Sequence, residues 1–343
     1  MKTADIAPSA QSTKTTPAEE YDVVILGGGT GSTVGAWTFA SEGKRVAVIE
    51  RKYIGGSCPN IACLPSKNII HSAKVASYFR KSQEFGIAKQ PFILDMSVVR
   101  RRKRKMVSAL NEVYLDNYRK SGAEFILGSG RFVAPRTLEV TLPDGTKRQL
   151  RGTNVIISTG TRAALAGIPG LADAQPLTHV EALELDELPD HLIVIGGGYV
   201  GLEMAQTMRR FGSKVTVIER SKRLLPREDD DIQEGLRALF EDEGIDLALN
   251  AKIQHVSGNS GESVQVTLQQ NGVERTTHGS HLLVAAGRIP NTGGIGLELA
   301  GVELTDRGYL KVNERLQTTA AGVWAIGEVA VRSLLILVLT IFV

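Results

Sequence analysis

Only two of the 343 residues are cysteine, too few for the disulfide-dense scaffold of a small secreted domain. Aromatic residues make up 5%, which argues against a surface that stacks single-stranded nucleic acid. An excess of either charge is nearly absent: 40 Lys and Arg face 37 Asp and Glu, and six of the cations form one run, Arg100 to Lys105. Without that run the balance is −3, so no broad basic surface and no nucleic-acid partner is implied. The run itself falls in a helix-like stretch, 96–120, and is expected to be a solvated helix face. No apolar run reaches the roughly 20 residues of a membrane span. The apolar stretch Ser333 to Val343 has eleven, and 332–343 is expected to stand apart from the fold. Residues 1–20 are polar without a signal-peptide core, so a disordered lead-in is expected there. A cytoplasmic protein of about two domains fits these limits.

Glycine is what the chain has in excess, with 36 copies gathered in clusters. Two clusters belong to an internal repeat. VVILGGGTGS (23–32) matches LIVIGGGYVG (192–201) at an offset of 169, and the same offset lays GKRVAVIER (43–51) on GSKVTVIER (212–220). Each copy reads as an apolar strand, a glycine turn, a helix-length stretch and a second strand ending in an acid, Glu50 or Glu219. That acid lies 23 residues beyond Gly27 or Gly196. This is the βαβ fingerprint of a dinucleotide site. Gly27 and Gly196 allow the tight turn, while Gly29 and Gly198 let the backbone approach a pyrophosphate. The following helix directs its N-terminus at the phosphates, and the acid accepts hydrogen bonds from a ribose. The third small position is Gly201 in the second copy but Ser32 in the first, which is expected to open the turn slightly. A second echo, VIISTGTRAA (155–164) and LLVAAGRIPN (282–291), closes each unit. Its offset is 127, so the first unit carries 42 more residues.

Those extra residues include GGSCPNIACLPSK (55–67). Cys58 and Cys63 are too far apart along a regular helix to form a disulfide, since i and i+5 lie roughly 8.6 Å apart and a bridge needs about 4.4–6.8 Å. A bridge therefore calls for an irregular first turn, a place suited to Pro59. The alternative is a pair of buried thiols acting as small hydrophobes. Taken singly, Lys67, Glu203 and Tyr199 read as an exposed charge, a helix acid and a core aromatic.

The 55–67 segment resembles the redox-active segment of the pyridine nucleotide–disulfide oxidoreductases, a family that includes dihydrolipoamide dehydrogenase, mercuric reductase and glutathione reductase. The similarity runs from about Tyr21 to Ala330. It takes in the Ser-Thr-Gly turn at 158–160, Gly-Arg-Ile-Pro-Asn at 287–291 and TAAGVWAIGE at 319–328. The resemblance implies an α/β fold of two Rossmann-like domains, each a parallel sheet plus a β-meander. FAD would occupy a domain of 21–178 and 316–331, and NAD(P)H a domain of 179–315 that includes the return to the first. Carried over by position, Cys58 is the interchange thiol and Cys63 the thiol against the flavin. Lys67 is the lysine near flavin N5, Glu203 its ion-pair partner and Tyr199 the lid over the flavin. Gly56, Ser57, Thr159, Gly160, Arg288 and Glu328 join the cofactor-binding residues already named.

The activity so implied passes hydride from NAD(P)H to flavin, then electrons to the Cys58–Cys63 pair and on to a disulfide or metal-ion substrate. Glu219 favours NADH by repelling a 2′-phosphate, although Arg220, Lys222 and Arg223 follow it. No structural metal is expected. Two departures stand out. The family's third FAD segment ends in Gly-Asp where this chain has Gly327-Glu328. The family then continues into a dimerisation domain that supplies a catalytic His, whereas here the last histidine is His281. The expectation is impaired disulfide turnover, the alternative being a dinucleotide-binding module with only diaphorase-like activity.

Overall fold

The computed structural model describes residues 17–165 and 167–330; the expectations for most of the N-terminal lead-in and for the apolar stretch 332–343 lie outside them. The first unit opens with β1 (Glu19–Leu26), α1 (Thr30–Ser41) and β2 (Val46–Glu50). It continues through α2 (Ser57–Ile61), α3 (Cys63–Arg80) and α4 (Met96–Ser121) to β3 (Glu124–Leu127). The hairpin strands β4 (Ser129–Ala134) and β5 (Thr137–Thr141) lead into β6 (Lys147–Ile157). A short β7 (Thr161–Ala163) and α5 (His179–Ala182) then lead to the second unit. That unit holds β8 (His191–Ile195), α6 (Tyr199–Phe211), β9 (Lys214–Ile218), α7 (Asp230–Asp242) and β10 (Asp246–Ala248). A three-stranded meander follows, β11 (Ala251–Asn259), β12 (Ser263–Gln270) and β13 (Val273–Gly279), before β14 (His281–Val284). The chain returns through β15 (Arg288–Pro290), α8 (Leu297–Ala300) and β16 (Val323–Ala325).

Both units share one plan. The strand order β3-β2-β1-β6 of the first matches β10-β9-β8-β14 of the second, and every neighbour in these two sets runs parallel. Residues 23–26 and 192–195 are apolar because helices or further strands cover both faces of a parallel sheet; all eight are buried, and Val24, Ile25, Leu192, Ile193 and Val194 are at most 1% exposed. In each unit an antiparallel addition lies beside the parallel strands, β4 and β5 on β6 in the first and β11–β13 in the second. β16 adds a parallel strand to β6, and Leu297, Ala300, Val302 and Leu310 join the core of the first sheet. The return to the first unit therefore starts at β15, which pairs with β7. At the other end β1 begins at Glu19, two residues before the expected start. Glu19 pairs with Leu150 and its carboxylate holds Arg148 at 2.7 Å.

The additional residues fall between β2 and β3, where α2 and α3 precede α4, the crossover helix that matches α7 of the second unit. They do not simply decorate the first unit. Ile69, Ala73 and Ala76 of α3, with Met96 and Val99 of α4, share one apolar core with Leu202, Met208 and Phe211 of α6. The basic run is mostly the expected solvated face, with Arg101, Arg102, Arg104 and Lys105 exposed, and departs from it at one residue. Lys103 is only 1% exposed; its ammonium donates to the Leu183 carbonyl (2.8 Å) and meets the Glu184 carboxylate. Arg104 reaches Glu184 at 2.8 Å and Arg100 reaches Asp186 at 2.9 Å. A run of six cations on a helix must place some of them inward, and here the acids of 184–186 receive them.

Candidate functional site

The two glycine turns are built alike down to their hydrogen bonds. Gly27 (φ 104°) and Gly196 (φ 112°) take a conformation that favours glycine. A Cβ on either would run into backbone, the Ser158 carbonyl in the first case and the Ala285 carbonyl in the second. The Gly28 N–H donates to Glu50 Oε2 at 2.8 Å, and the Gly197 N–H to Glu219 Oε2 at 2.7 Å. Glu50 Oε1 accepts from the Lys52 and Tyr53 amides, and Glu219 Oε1 from Ser221. Each acid thus fastens its own turn. Among the described residues Glu219 accepts these two bonds, and a carboxylate offers about four lone-pair sites, so capacity remains for a ribose hydroxyl. At the third small position an added Cβ on Gly201 would collide with the Gly196 carbonyl. Ser32 stands at the matching place, buried, with its hydroxyl donating to Gly29 (2.7 Å) and Gly27 (2.8 Å). The turn is therefore bound through the serine.

Helices α1 and α6 begin after Gly29 and Gly198 with no side-chain cap. Their first N–H groups stay free for an anion. Nothing lies within 4 Å of a Cβ placed on Gly198 or Gly160. Thr159 Oγ1 is buried without a hydrogen-bond partner. An uncapped helix start, open space beside the glycines and an orphaned hydroxyl in the Ser-Thr-Gly turn are what a dinucleotide would fill, so the residues fit the expected cofactors.

The thiols lie where the first unit bends over α1. A Cβ on Gly56 (φ 76°) would come within 2.5 Å of Gly29 Cα, so only glycine lets these segments touch. Gly56 is followed by Ser57, which starts α2. Asn60, which the sequence motifs do not mark as functional, fixes this bend by donating to the Ile54 (2.7 Å) and Gly56 (2.8 Å) carbonyls. The irregularity that lets the sulfurs meet is at Ala62 (φ −134°, ψ −105°), between α2 and α3, and not at Pro59, which is buried within α2. Cys58 and Cys63 are both free thiols. Cys63 is the first residue of α3, where the helix dipole and backbone amides favour an anion. The Cys58 thiol donates to it, and this bond, aided by its own amide and by Lys67, lowers the Cys63 pKa to about 6. The same bond, with burial, pushes Cys58 up.

One turn further along α3, Lys67 Nζ meets Glu203 Oε1 of α6 at 2.5 Å. Burial raises the Glu203 pKa against the pull of Lys67. At the far ends of the same helices, Arg80 donates to the carbonyls of Arg210 (3.2 Å) and Phe211 (2.5 Å). The two helices thus run parallel, with both N-termini at the same end of the site. Arg288 Nε donates to Thr161 Oγ1 at 2.6 Å, and Glu328 accepts from both Thr161 and Arg288. Asn291 reaches the Thr159 carbonyl at 2.9 Å. The Gly-Arg-Ile-Pro-Asn and Gly-Glu segments therefore converge on the Ser-Thr-Gly turn. Thr161 carries no motif signal in the sequence beyond following Gly160 of the Ser-Thr-Gly turn. Tyr199 starts α6 and its hydroxyl donates to Glu228. Among the described residues no cluster of His, Cys, Asp and Glu could hold a metal ion, and no helix is long and apolar enough to cross a membrane.

Comparison with known proteins agrees with this geometry. A family model described as pyridine nucleotide-disulphide oxidoreductase matches residues 21–338. Mercuric reductase of Streptomyces lividans is 36% identical over 90% of this chain and 65% of its own length. Dihydrolipoyl dehydrogenase of Bacillus subtilis is 36% identical over 91% of this chain and 68% of its own. A solved Cu(II) complex of the HOCl-induced flavoprotein disulfide reductase RclA from Escherichia coli superposes with a TM-score of 0.79 at 32% identity, covering 91% of this chain and 66% of that one. The chain spans about two thirds of the length of these proteins.

Proposed function

The chain belongs to the pyridine nucleotide-disulphide oxidoreductases, and from that membership we propose that it takes electrons from NADH and delivers them through FAD and the Cys58–Cys63 pair to a disulfide or metal-ion substrate. The family is FAD- and NAD(P)-dependent. Bound flavin would supply the two-electron exchange between reduced nicotinamide and the thiol pair. In this reading the first glycine turn, Glu50, Gly56, Ser57, Thr159, Gly160, Arg288 and Glu328 hold FAD, and Gly196, Gly198, Tyr199, Gly201 and Glu219 hold NADH. The preference for NADH rests on Glu219, whose carboxylate is tied to the turn and would face any 2′-phosphate. The observation that carries the reading is the thiol pair at the start of α3, joined to the second unit by Lys67–Glu203. A metal ion as substrate is supported by the likeness to the mercuric reductase of Streptomyces lividans.

Each side chain has a distinct task. Cys63, favoured as thiolate, would lie against the flavin, and Lys67, paired with Glu203, would stand beside both. Cys58, kept protonated by its neighbour, needs a base to attack a disulfide, because the thiolate is the nucleophile. Direct electron transfer to small acceptors needs no such base, and this favours the second reading, diaphorase-like activity, wherever no base is supplied.

The test uses purified protein carrying FAD. Addition of NADH should raise a long-wavelength charge-transfer band, and Cys63→Ala should abolish it while leaving the yellow flavin in place. A protein that binds no flavin, or a Cys63→Ala variant that retains the band, would overturn the proposal. Added imidazole should speed disulfide reduction and leave small-acceptor reduction unchanged.

A further inference from the structure

Three stretches distant in sequence meet just beyond the Ser-Thr-Gly turn. β6 ends at Ile157, and the chain passes through the turn into β7, whose Thr161 pairs with Pro290 of β15. β16 lies against β6 with Ala325 opposite Ile157, and the Ile326 N–H donates to the Ile157 carbonyl at 3.0 Å. Gly327, at φ 75°, then turns the chain, and the Glu328 side chain reaches Thr161.

Thr161 is where the three stretches are tied together, and it is only 8% exposed. Arg288 Nε donates to its hydroxyl at 2.6 Å, and a terminal N–H of the same guanidinium donates to its carbonyl at 3.0 Å. A guanidinium can only donate, so the hydroxyl proton of Thr161 is left for an acceptor. That acceptor is Glu328 Oε2, which also receives Arg288 Nε at 3.2 Å. A β-branched side chain is stiff at χ1. Thr161 therefore offers a fixed donor to a long, flexible carboxylate whose side chain is 41% exposed. Both bonds fall on Oε2. Among the described residues Oε1 has no partner, which leaves it open to a cofactor hydroxyl.

We propose that Thr161 is a positioning residue that sets the affinity for FAD by holding the Glu328 carboxylate in one orientation. It rests on the reading of Glu328 as an FAD-binding residue. Thr161 touches no reacting atom and acts through its neighbour. Without its hydroxyl, Glu328 loses its fixed donor and Arg288 its nearer acceptor. The rotamer freedom that Glu328 regains must then be given up when FAD binds, which weakens binding.

The experiment titrates FAD into the full chain freed of flavin and follows the change in flavin fluorescence. The proteins are the parent, Thr161→Val, Thr161→Ser, Glu328→Ala and the double variant Thr161→Val with Glu328→Ala. Thr161→Val should bind FAD about tenfold more weakly, the factor set by one hydrogen bond to a charged group. Thr161→Ser keeps the hydroxyl and should stay within about threefold of the parent. The double variant should match Glu328→Ala, because Thr161 acts through that carboxylate. Thr161→Ala takes the place of Thr161→Val if the latter does not fold. A Thr161→Val affinity within about twofold of the parent, a serine variant no better than the valine one, or additive losses would overturn the role of Thr161 alone. A Glu328→Ala variant that binds FAD as the parent does overturns the placement of Glu328 in the site, and a parent that binds no FAD overturns the flavin reading itself; the role of Thr161 falls with either.

Discussion

Cys63 owes its reactivity to its position as much as to its chemistry. It begins a helix of 18 residues, it accepts a hydrogen from Cys58, and it lies near Lys67. All three effects favour the anion, so the thiolate predominates above pH about 6 and the thiol below it. Alkylation of the reduced protein by iodoacetamide at Cys63 should therefore rise as pH climbs through about 6, and Cys58→Ala should move that midpoint upward. Mass spectrometry of the labelled peptide reads both. Lys103 is the opposite kind of residue, a cation held inside the protein by the Leu183 carbonyl and Glu184. Burial lowers its pKa against the pull of Glu184. Removing the acid by Glu184→Ala should cost about 1–3 kcal/mol in denaturant unfolding, whereas Lys103→Met should cost less, since it removes the buried charge together with its need for a partner. The acids Glu50 and Glu219 were legible in the sequence because they recur at a fixed distance from a glycine. Lys103 and the break at Ala62 were not. A charge run gives no sign of which member faces inward, and a one-residue departure from helix leaves no compositional mark.

The two βαβ units show what repetition permits and where it stops. Gly27 with Ser158 and Gly196 with Ala285 repeat the same backbone approach, and the acid-to-turn bonds agree to 0.1 Å. Position three differs. Gly201 packs its α-carbon against the Gly196 carbonyl, while Ser32 bridges two carbonyls of its turn. Gly201→Ser should therefore destabilise by about 1–3 kcal/mol and weaken NADH binding, as overpacking does. The matched change Ser32→Gly should cost less than about 1 kcal/mol, as expected for a lost neutral hydrogen bond in a turn that tolerates glycine. Thermal unfolding and NADH titration of the two variants check the asymmetry. Both fingerprints could be read as strand, turn and helix from apolar runs alone. The pairing of β7 with β15, which brings Arg288 to Thr161 and Glu328, was not readable, because strands of three residues carry no periodic signal.

The molecule as a whole is less divisible than its two fingerprints suggest. Helix α3 leaves the first unit and contributes to the core of the second, clasped to α6 by Lys67 at one end and Arg80 at the other. Such a shared core couples the unfolding of the two units. Differential scanning calorimetry should show one transition with equal calorimetric and van't Hoff enthalpies; two resolved peaks would show that the shared core does not bind them. The insertion that carries the sulfurs is thus also the piece that locks into its neighbour. Neither nucleotide unit can be exchanged for one from another protein without recutting the surface that receives this arm. A chimera that ignores that surface would keep both pockets and lose the path between them.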